Sequence, residues 1–244
     1  MVIIMHRQSY RSSAMLKTMA KGQLLGKYPI VTATVLLVVM ISFIVRIGVL
    51  GFIDQSSLGR LLLYTAAHFI LMLLLGVINA GASFMALKIC CNEPLRISDI
   101  FYAFSYQPEK IVTVLFVSNG IVLLSSLPYT LFQFFYAQTG QSVYLILSAI
   151  ALLVSIGISC HVLLILSQAI FLLLDFTDRP PLDIMRMSAT LMRGHKGRLF
   201  YLWISFLPLA LLSLLTCCIG FIWVIPYFKV TLANFYMDLT QKQQ

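Results

Sequence analysis

Polar and apolar residues are sorted along this chain into long blocks. Residues 29–53, 61–87, 111–136 and 143–174 contain between them a single Lys or Arg, Arg46. Each run is longer than the roughly 20 residues a helix needs to cross a hydrocarbon core of about 30 Å. Four transmembrane helices are therefore predicted from length alone. A fifth apolar stretch, from Leu199 to Leu239, is too long for one span and is interrupted by Thr216, Cys217, Cys218 and Gly220. It predicts a tight hairpin with helices at 199–215 and 220–239. The second of these is less apolar, because it carries Pro226, Lys229, Asn234 and Asp238. The alternative is one long tilted helix followed by an interfacial tail.

Three shorter segments have a mixed pattern. Residues 180–193 begin with prolines after Asp178, a plausible N-cap, and stop at Gly194. Leu182, Met185, Leu191 and Met192 share one side and Arg186 and Arg193 another, as in a helix lying in a membrane interface. In 97–106, Ser98 or Asp99 opens a segment with Ile100, Phe101 and Phe104 as apolar contacts. In 9–22, Met15, Leu16 and Met19 alternate with Arg11, Lys17 and Lys21. A short amphipathic helix followed by a two-span hairpin would then recur at about 1–90, 91–178 and 179–244. Lys21-Gly22-Gln23-Leu24 against Lys196-Gly197-Arg198-Leu199 is the best local match for such a repeat. The predicted architecture is an all-α membrane protein: a single polytopic domain over 1–244, about six transmembrane helices in three hairpins, with short amphipathic cytoplasmic helices.

Composition and charge sharpen this picture. Of the 244 residues 60% are hydrophobic and only 10% charged, outside the range of soluble domains. The Lys and Arg residues gather before the first span, between the second and third, between the fourth and fifth, and at the C-terminal end. Cytoplasmic loops carry such an excess. With six spans all four clusters fall on one side, so both termini are expected in the cytoplasm. The net charge of +9 is accounted for by topology and by anionic inner-leaflet lipid, and no nucleic-acid partner is expected. The first apolar run exceeds a signal h-region and has no small-x-small site close behind it, so it is expected to remain as an anchor.

Candidate chemistry lies in the polar residues at membrane depth, which are costly there. Arg46 can snorkel to the head groups and meet Asp54. On the second span His68 and Asn79 lie about 20° apart on the helix surface, on one face with Thr65 and Ser83. On the fourth, Gly157, His161, Gln168 and Asp175 form one stripe. His68, Asn79, His161 and Gln168 thus make a candidate polar seam. Interhelical packing is the competing reading, since Gly76-x-x-x-Ala80 and Ser155-x-x-x-Ser159 offer small-residue surfaces on the same helices. Asn119-Gly120 and Pro128 interrupt the third span, as in some transporters. No P-loop, H-E-x-x-H or G-x-S-x-G motif is present, every Asp and Glu lies at a boundary or in a loop, and the five cysteines match no zinc or redox spacing. No catalytic residue, metal or cofactor is predicted, and an enzyme is not expected.

The C-terminal third carries a family pattern: Asp178-Arg179-Pro180, Ser188-Ala189-x-Leu191-Met192-x-Gly194-x-Lys196, Leu214-Leu215-Thr216, Gly220-Phe221-x-Trp223-x-x-Pro226-Tyr227 and Ala233-x-Phe235-Tyr236-x-x-Leu239. It resembles the bacterial integral membrane proteins of the domain of unknown function 975 family. Ala14, Leu16 and Lys21-Gly22, and Asp99-Ile100-Phe101-x-x-Phe104, are similar more loosely. The resemblance implies a multi-pass protein of the bacterial cytoplasmic membrane with roughly six helices. It also implies a distant similarity to the membrane domain of some glycerophosphodiester phosphodiesterases, whose hydrolase part has no counterpart in this chain. No activity comes with it. The leading expectation is a non-enzymatic accessory or assembly subunit that binds lipid or a protein partner. Arg186, Arg193, Lys196 and Arg198 would form its lipid- or partner-facing basic cluster, with Trp223 and Tyr227 as anchors. The rival is a carrier for a small or lipid-like substrate along the polar seam between the second and fourth helices.

Overall fold

Local sequence signals set where the helices begin and end in the computed structural model, which describes residues 10–51 and 57–241. Arg7, Asp54 and Lys242, and with them the suggested Arg46–Asp54 contact, lie outside the described residues. The order is α1 (Ser13–Leu24), α2 (Tyr28–Leu50), α3 (Leu58–Cys90), a 3-10 turn (Ile97–Phe101) running into α4 (Tyr102–Ser105), then α5 (Pro108–Thr139), α6 (Ser142–Leu166), α7 (Ala169–Asp175), α8 (Pro181–Leu191), α9 (Lys196–Ile204), α10 (Leu207–Leu215) and α11 (Phe221–Thr240). Ser12 and Ser57 cap α1 and α3 through their side chains, and Pro108 opens α5. Gly140 closes α5 at φ +68° and Gly194 follows α8 at φ +79°, a backbone region that costs glycine little.

Among the described residues, five helical segments are long and apolar enough to cross a membrane: Tyr28–Leu50, Leu58–Cys90, Pro108–Thr139, Ser142–Asp175 and Lys196–Leu215. The protein is an all-α membrane protein. Two predicted spans are interrupted. The fourth breaks at Ser167-Gln168, between α6 and α7, where Ser188 of α8 donates a 2.8 Å hydrogen bond to the Ile165 carbonyl. The fifth breaks between α9 and α10, because Pro208 has no N–H and its ring crowds the carbonyl four residues back. The third does not break: α5 runs through both Asn119-Gly120 and Pro128.

Tertiary bonds bring the basic connections to one end of the bundle. Lys27 Nζ donates to Asn92 Oδ1 at 3.0 Å and Lys110 Nζ to the Thr177 carbonyl at 2.6 Å. Arg198 donates to Asp238 and to the Arg11 carbonyl, both at 2.9 Å. The start of α1, the α3–α5 and α7–α9 connections and the end of α11 therefore meet there, and α11 runs antiparallel to α9 and α10.

The core sits around α11, the least apolar of the long C-terminal segments. Pro226, Val230, Thr231, Ala233, Asn234, Phe235, Tyr236, Asp238 and Leu239 are all buried on it. α1 lies against it, with Leu16, Ala20 and Leu24 buried. The 9–22 segment is thus part of the packed bundle, and Met15, expected on its apolar side, is exposed. On α8 the inward face is Ile184, Ser188 and Leu191, while Leu182 points out. In the 97–105 segment Ile100 and Ala103 turn inward, and Phe101 and Phe104 outward. Hydrophobic pattern alone placed Leu16, Ile100, Leu191 and Met192 on the inner side, where they are buried, but misplaced Met15, Leu182, Phe101 and Phe104, because in lipid an outward Phe or Leu costs nothing; close packing, not polarity, selects the inner side. The small-residue surfaces do pack: Gly76 lies against Leu115 of α5, and Ser155 of α6 meets Ser125 of α5 at 3.5 Å.

Candidate ligand cavity

A cavity of about 470 Å³ lies among α2, α3, α5, α6, α7 and α11, within the usual size range of small-molecule sites. Its lining mixes apolar side chains, among them Val38, Leu75, Leu115 and Leu163, with polar ones, among them Arg46, Asn79, Ser83, Ser118, Asn119 and Lys229. A second cavity of about 130 Å³ opens beside it between α2, α3 and α11. Its lining is almost wholly apolar, and it shares Val38, Asn79 and Lys229 with the first.

Lys229 is the central polar feature. It lies nine residues from Asp238, so about 14 Å along α11 from the basic end at 1.5 Å per residue. Its Nζ reaches Ser83 Oγ at 3.5 Å, and the Ser83 hydroxyl is itself committed as donor to the Asn79 carbonyl at 3.2 Å. Among the described residues no carboxylate lies within ion-pair distance of Lys229. An ammonium among membrane helices without an anion is costly, and this one faces both cavities. Arg46 lines the larger cavity about 27 Å along α2 from Tyr28, so cationic groups stand toward both ends of the space.

The four seam residues do not converge. Asn79 faces both cavities. His68 is outside their linings and stacks on Tyr64, with ring centroids 6.2 Å apart. His161 is exposed on the outer side of α6. Gln168 is buried at the α6–α7 break, where its amide donates to Ser167 Oγ at 3.0 Å and its Oε1 has no partner among the described residues. The break rotates α7 relative to α6, so a stripe counted at a constant 100° per residue does not survive it. Lys229 escaped sequence reading because it was counted with the topology-setting charges. Its signal was present: it sits inside an apolar stretch with no acidic residue three or four positions away.

The basic cluster also divides. Arg186 and Arg193 are exposed, with Arg186 reaching Asp183 at 3.3 Å, and Lys196 is half-buried. Arg198 turns inward. Its guanidinium pairs with the buried Asp238, bonds the Arg11 carbonyl and lies 4.5 Å over the Tyr10 ring and 5.3 Å over Phe235. Nearby, Asn234 and Gln23 exchange amide hydrogen bonds of 2.6 and 3.3 Å, and Lys17 donates to the Ser205 carbonyl at 2.6 Å. Trp223 is exposed, whereas Tyr227 packs edge-on to Phe206.

His195, at the same junction, sets its ring edge-on to Tyr10 at 4.6 Å, and its Nδ1 is buried without a partner among the described residues. Burial, and then the Arg198 charge, hold its pKa below the ordinary 6.5, with Asp238 opposing. The unfolded imidazole takes up its proton at higher pH than the folded one, so the contribution is complete above 6.5 and is lost as the pH falls from 6.5 through the folded value. Thermal unfolding of the detergent-solubilised protein should show a melting temperature that falls over this window. His195→Phe should flatten that part of the profile; an unchanged slope would assign it to other groups.

The family profile described as Protein of unknown function (DUF975) matches residues 5–243, nearly the whole chain. Comparison with curated proteins and with solved structures returns no match.

Proposed function

Because the chain belongs to the DUF975 family of membrane proteins, whose function is unknown, we propose from its own geometry that it binds and carries a lipid-like molecule inside its helix bundle, without transforming it. The observation that supports this is a cavity at membrane depth whose mainly apolar lining also holds cationic, amide and hydroxyl side chains, the mixed surface that an amphiphile requires. Among the described residues its lining offers a lysine, an arginine, amides and hydroxyls, but no carboxylate, imidazole or thiol. Such a set recognises a ligand and lacks the paired groups of general acid–base catalysis. The gathering of basic segments at one end supports a bacterial cytoplasmic-membrane protein with both termini inside. Arg186, Arg193 and Lys196 would there touch anionic inner-leaflet lipid.

Photolabelling of the reconstituted protein with a diazirine-bearing single-chain amphiphile tests the reading. Label should concentrate on peptides containing Asn79 and Ser118, and Ser118→Trp, which fills the cavity, should remove most of it. Label spread evenly over the lipid-facing helices and indifferent to Ser118→Trp would refute cavity binding.

A further inference from the structure

We propose that Lys229 is the head-group recognition residue of this cavity and that the ligand is a single-chain amphiphile with an anionic head, a carboxylate or a phosphate monoester. The inference rests on reading the cavity as a lipid-like site and adds the ligand's charge, orientation and chain count.

Two independent features point to it. The first is charge. Lys229 presents an ammonium whose only contact among the described residues is the long approach to Ser83. Asn79 lines the same space, so an anion at Nζ would meet a second donor, the Asn79 amide, in the same cavity. Charge-assisted bonds of this kind are the strong ones, more so away from water. A cationic or zwitterionic head would instead bring a positive group against Lys229, with Arg46 facing the same cavity.

The second is shape. Lys229 sits where the polar cavity joins the narrow apolar one, and it lines both. The narrow cavity runs along Val31, Val35 and Val38 of α2 and against Ile225 and Pro226 of α11. Only Val31 and Thr34 are buried on α2, and Val39, which lines the narrow cavity, is itself exposed, so this groove adjoins the lipid-facing surface. A head at Lys229 places one hydrocarbon chain in this narrow apolar groove, and a free inorganic anion would leave the groove without a role.

The test compares three probes of equal chain length on the reconstituted protein: a diazirine-bearing fatty carboxylate, its methyl ester and the corresponding trimethylammonium. Inorganic phosphate serves as competitor. The wild-type protein should bind the carboxylate roughly tenfold or more tighter than the ester, the size expected of one charge-assisted contact, and should bind the ammonium least. Lys229→Met should erase the difference between carboxylate and ester, and Lys229→Arg should restore most of it. Val35→Trp, which leaves the cation in place and fills the groove, should weaken carboxylate and ester alike. Size-exclusion and melting profiles of each variant separate loss of binding from loss of fold.

Carboxylate binding by Lys229→Met at wild-type affinity would overturn the assignment. If ester and carboxylate bound equally to both proteins, the cavity reading would stand and the anion would fall. If no probe labelled the cavity peptides, both readings would fall together. Displacement of the carboxylate by equimolar inorganic phosphate would overturn the amphiphile in favour of a free anion.

Discussion

Arg198→Ala should be among the most damaging single substitutions, destabilising the protein by about 3–5 kcal/mol, the range for removing one member of a buried ion pair. The Asp238 side chain is 2% exposed and Arg198 lies 2.9 Å from it. Without the guanidinium, the carboxylate keeps, among the described residues, the Arg11 amide at 3.3 Å. The Arg11 carbonyl also loses its donor, and Tyr10 and Phe235 lose the cation held between them. Much of the cost is the stranded charge, so Arg198→Ala combined with Asp238→Asn should recover a substantial part. Arg198→Lys should fall between, because an ammonium cannot serve both acceptors with the fixed fork of a guanidinium. Unfolding in mixed micelles gives the comparison. A loss below about 1 kcal/mol, the scale of a surface pair, together with no recovery in the double variant, would mean that the junction is solvated.

Gly81→Ala should be similarly costly, about 3 kcal/mol, at the upper end of overpacking effects. A Cβ at this position of α3 would stand 1.8 Å from the Ile100 carbonyl oxygen and 2.6 Å from its carbon. Both are backbone atoms, so no rotamer change relieves the clash. The whole 97–105 segment would have to move away from α3. That segment is otherwise held by the Lys88–Asp99 pair at 2.9 Å, the Asp99 bond to the Arg96 amide and the stacking of Phe84 on Tyr102 at 3.8 Å. The variant should therefore show faster hydrogen exchange in residues 97–105 as well as a lower melting temperature. Gly76→Ala should be milder, because the added carbon meets the mobile end of Leu115. Gly22→Ala meets nothing within 4 Å and should be neutral or slightly stabilising, as expected for replacing a helical glycine. Equal effects at all three positions would remove the close approach at Gly81 as the explanation.

Some features were legible because their causes are local. The apolar runs had to be helices, since in lipid each backbone amide must be satisfied within its own segment. Gly194 and the prolines opening α8 marked helix ends through dihedral preferences of single residues, and Gly140 and the prolines opening α2 and α5 carry the same kind of local signal. The break at Pro208 was equally local and could have been read. The break at Ser167-Gln168 could not, because the hydroxyl that accommodates it belongs to Ser188, twenty-three residues beyond the carbonyl it bonds.

For the candidate site, the sequence supplied Asn79 and the face it shares with Ser83, but not the neighbours. His68 and His161 are polar residues on apolar helices, as Asn79 is, and periodicity gave no ground for separating them. Lys229 looked like one charge among many until its surroundings were in place.

What the sequence determined by itself is the membrane as solvent, the helical class and the sorting of basic residues into separate segments, all consequences of composition along short stretches. Only the tertiary structure decided that α11, whose Lys229, Asn234 and Asp238 made it look marginal as a span, is the helix against which α1, α2, α3 and α10 pack. Its polar side chains become inexpensive only when partners arrive from far along the chain. Gln23 meets Asn234 across 211 positions and Arg198 meets Asp238 across 40. Lys229 receives no such partner among the described residues, and only the packing of α2, α3 and α11 placed it beside an apolar groove. Partner and cavity are properties of helices brought together, and no stretch of one helix encodes them.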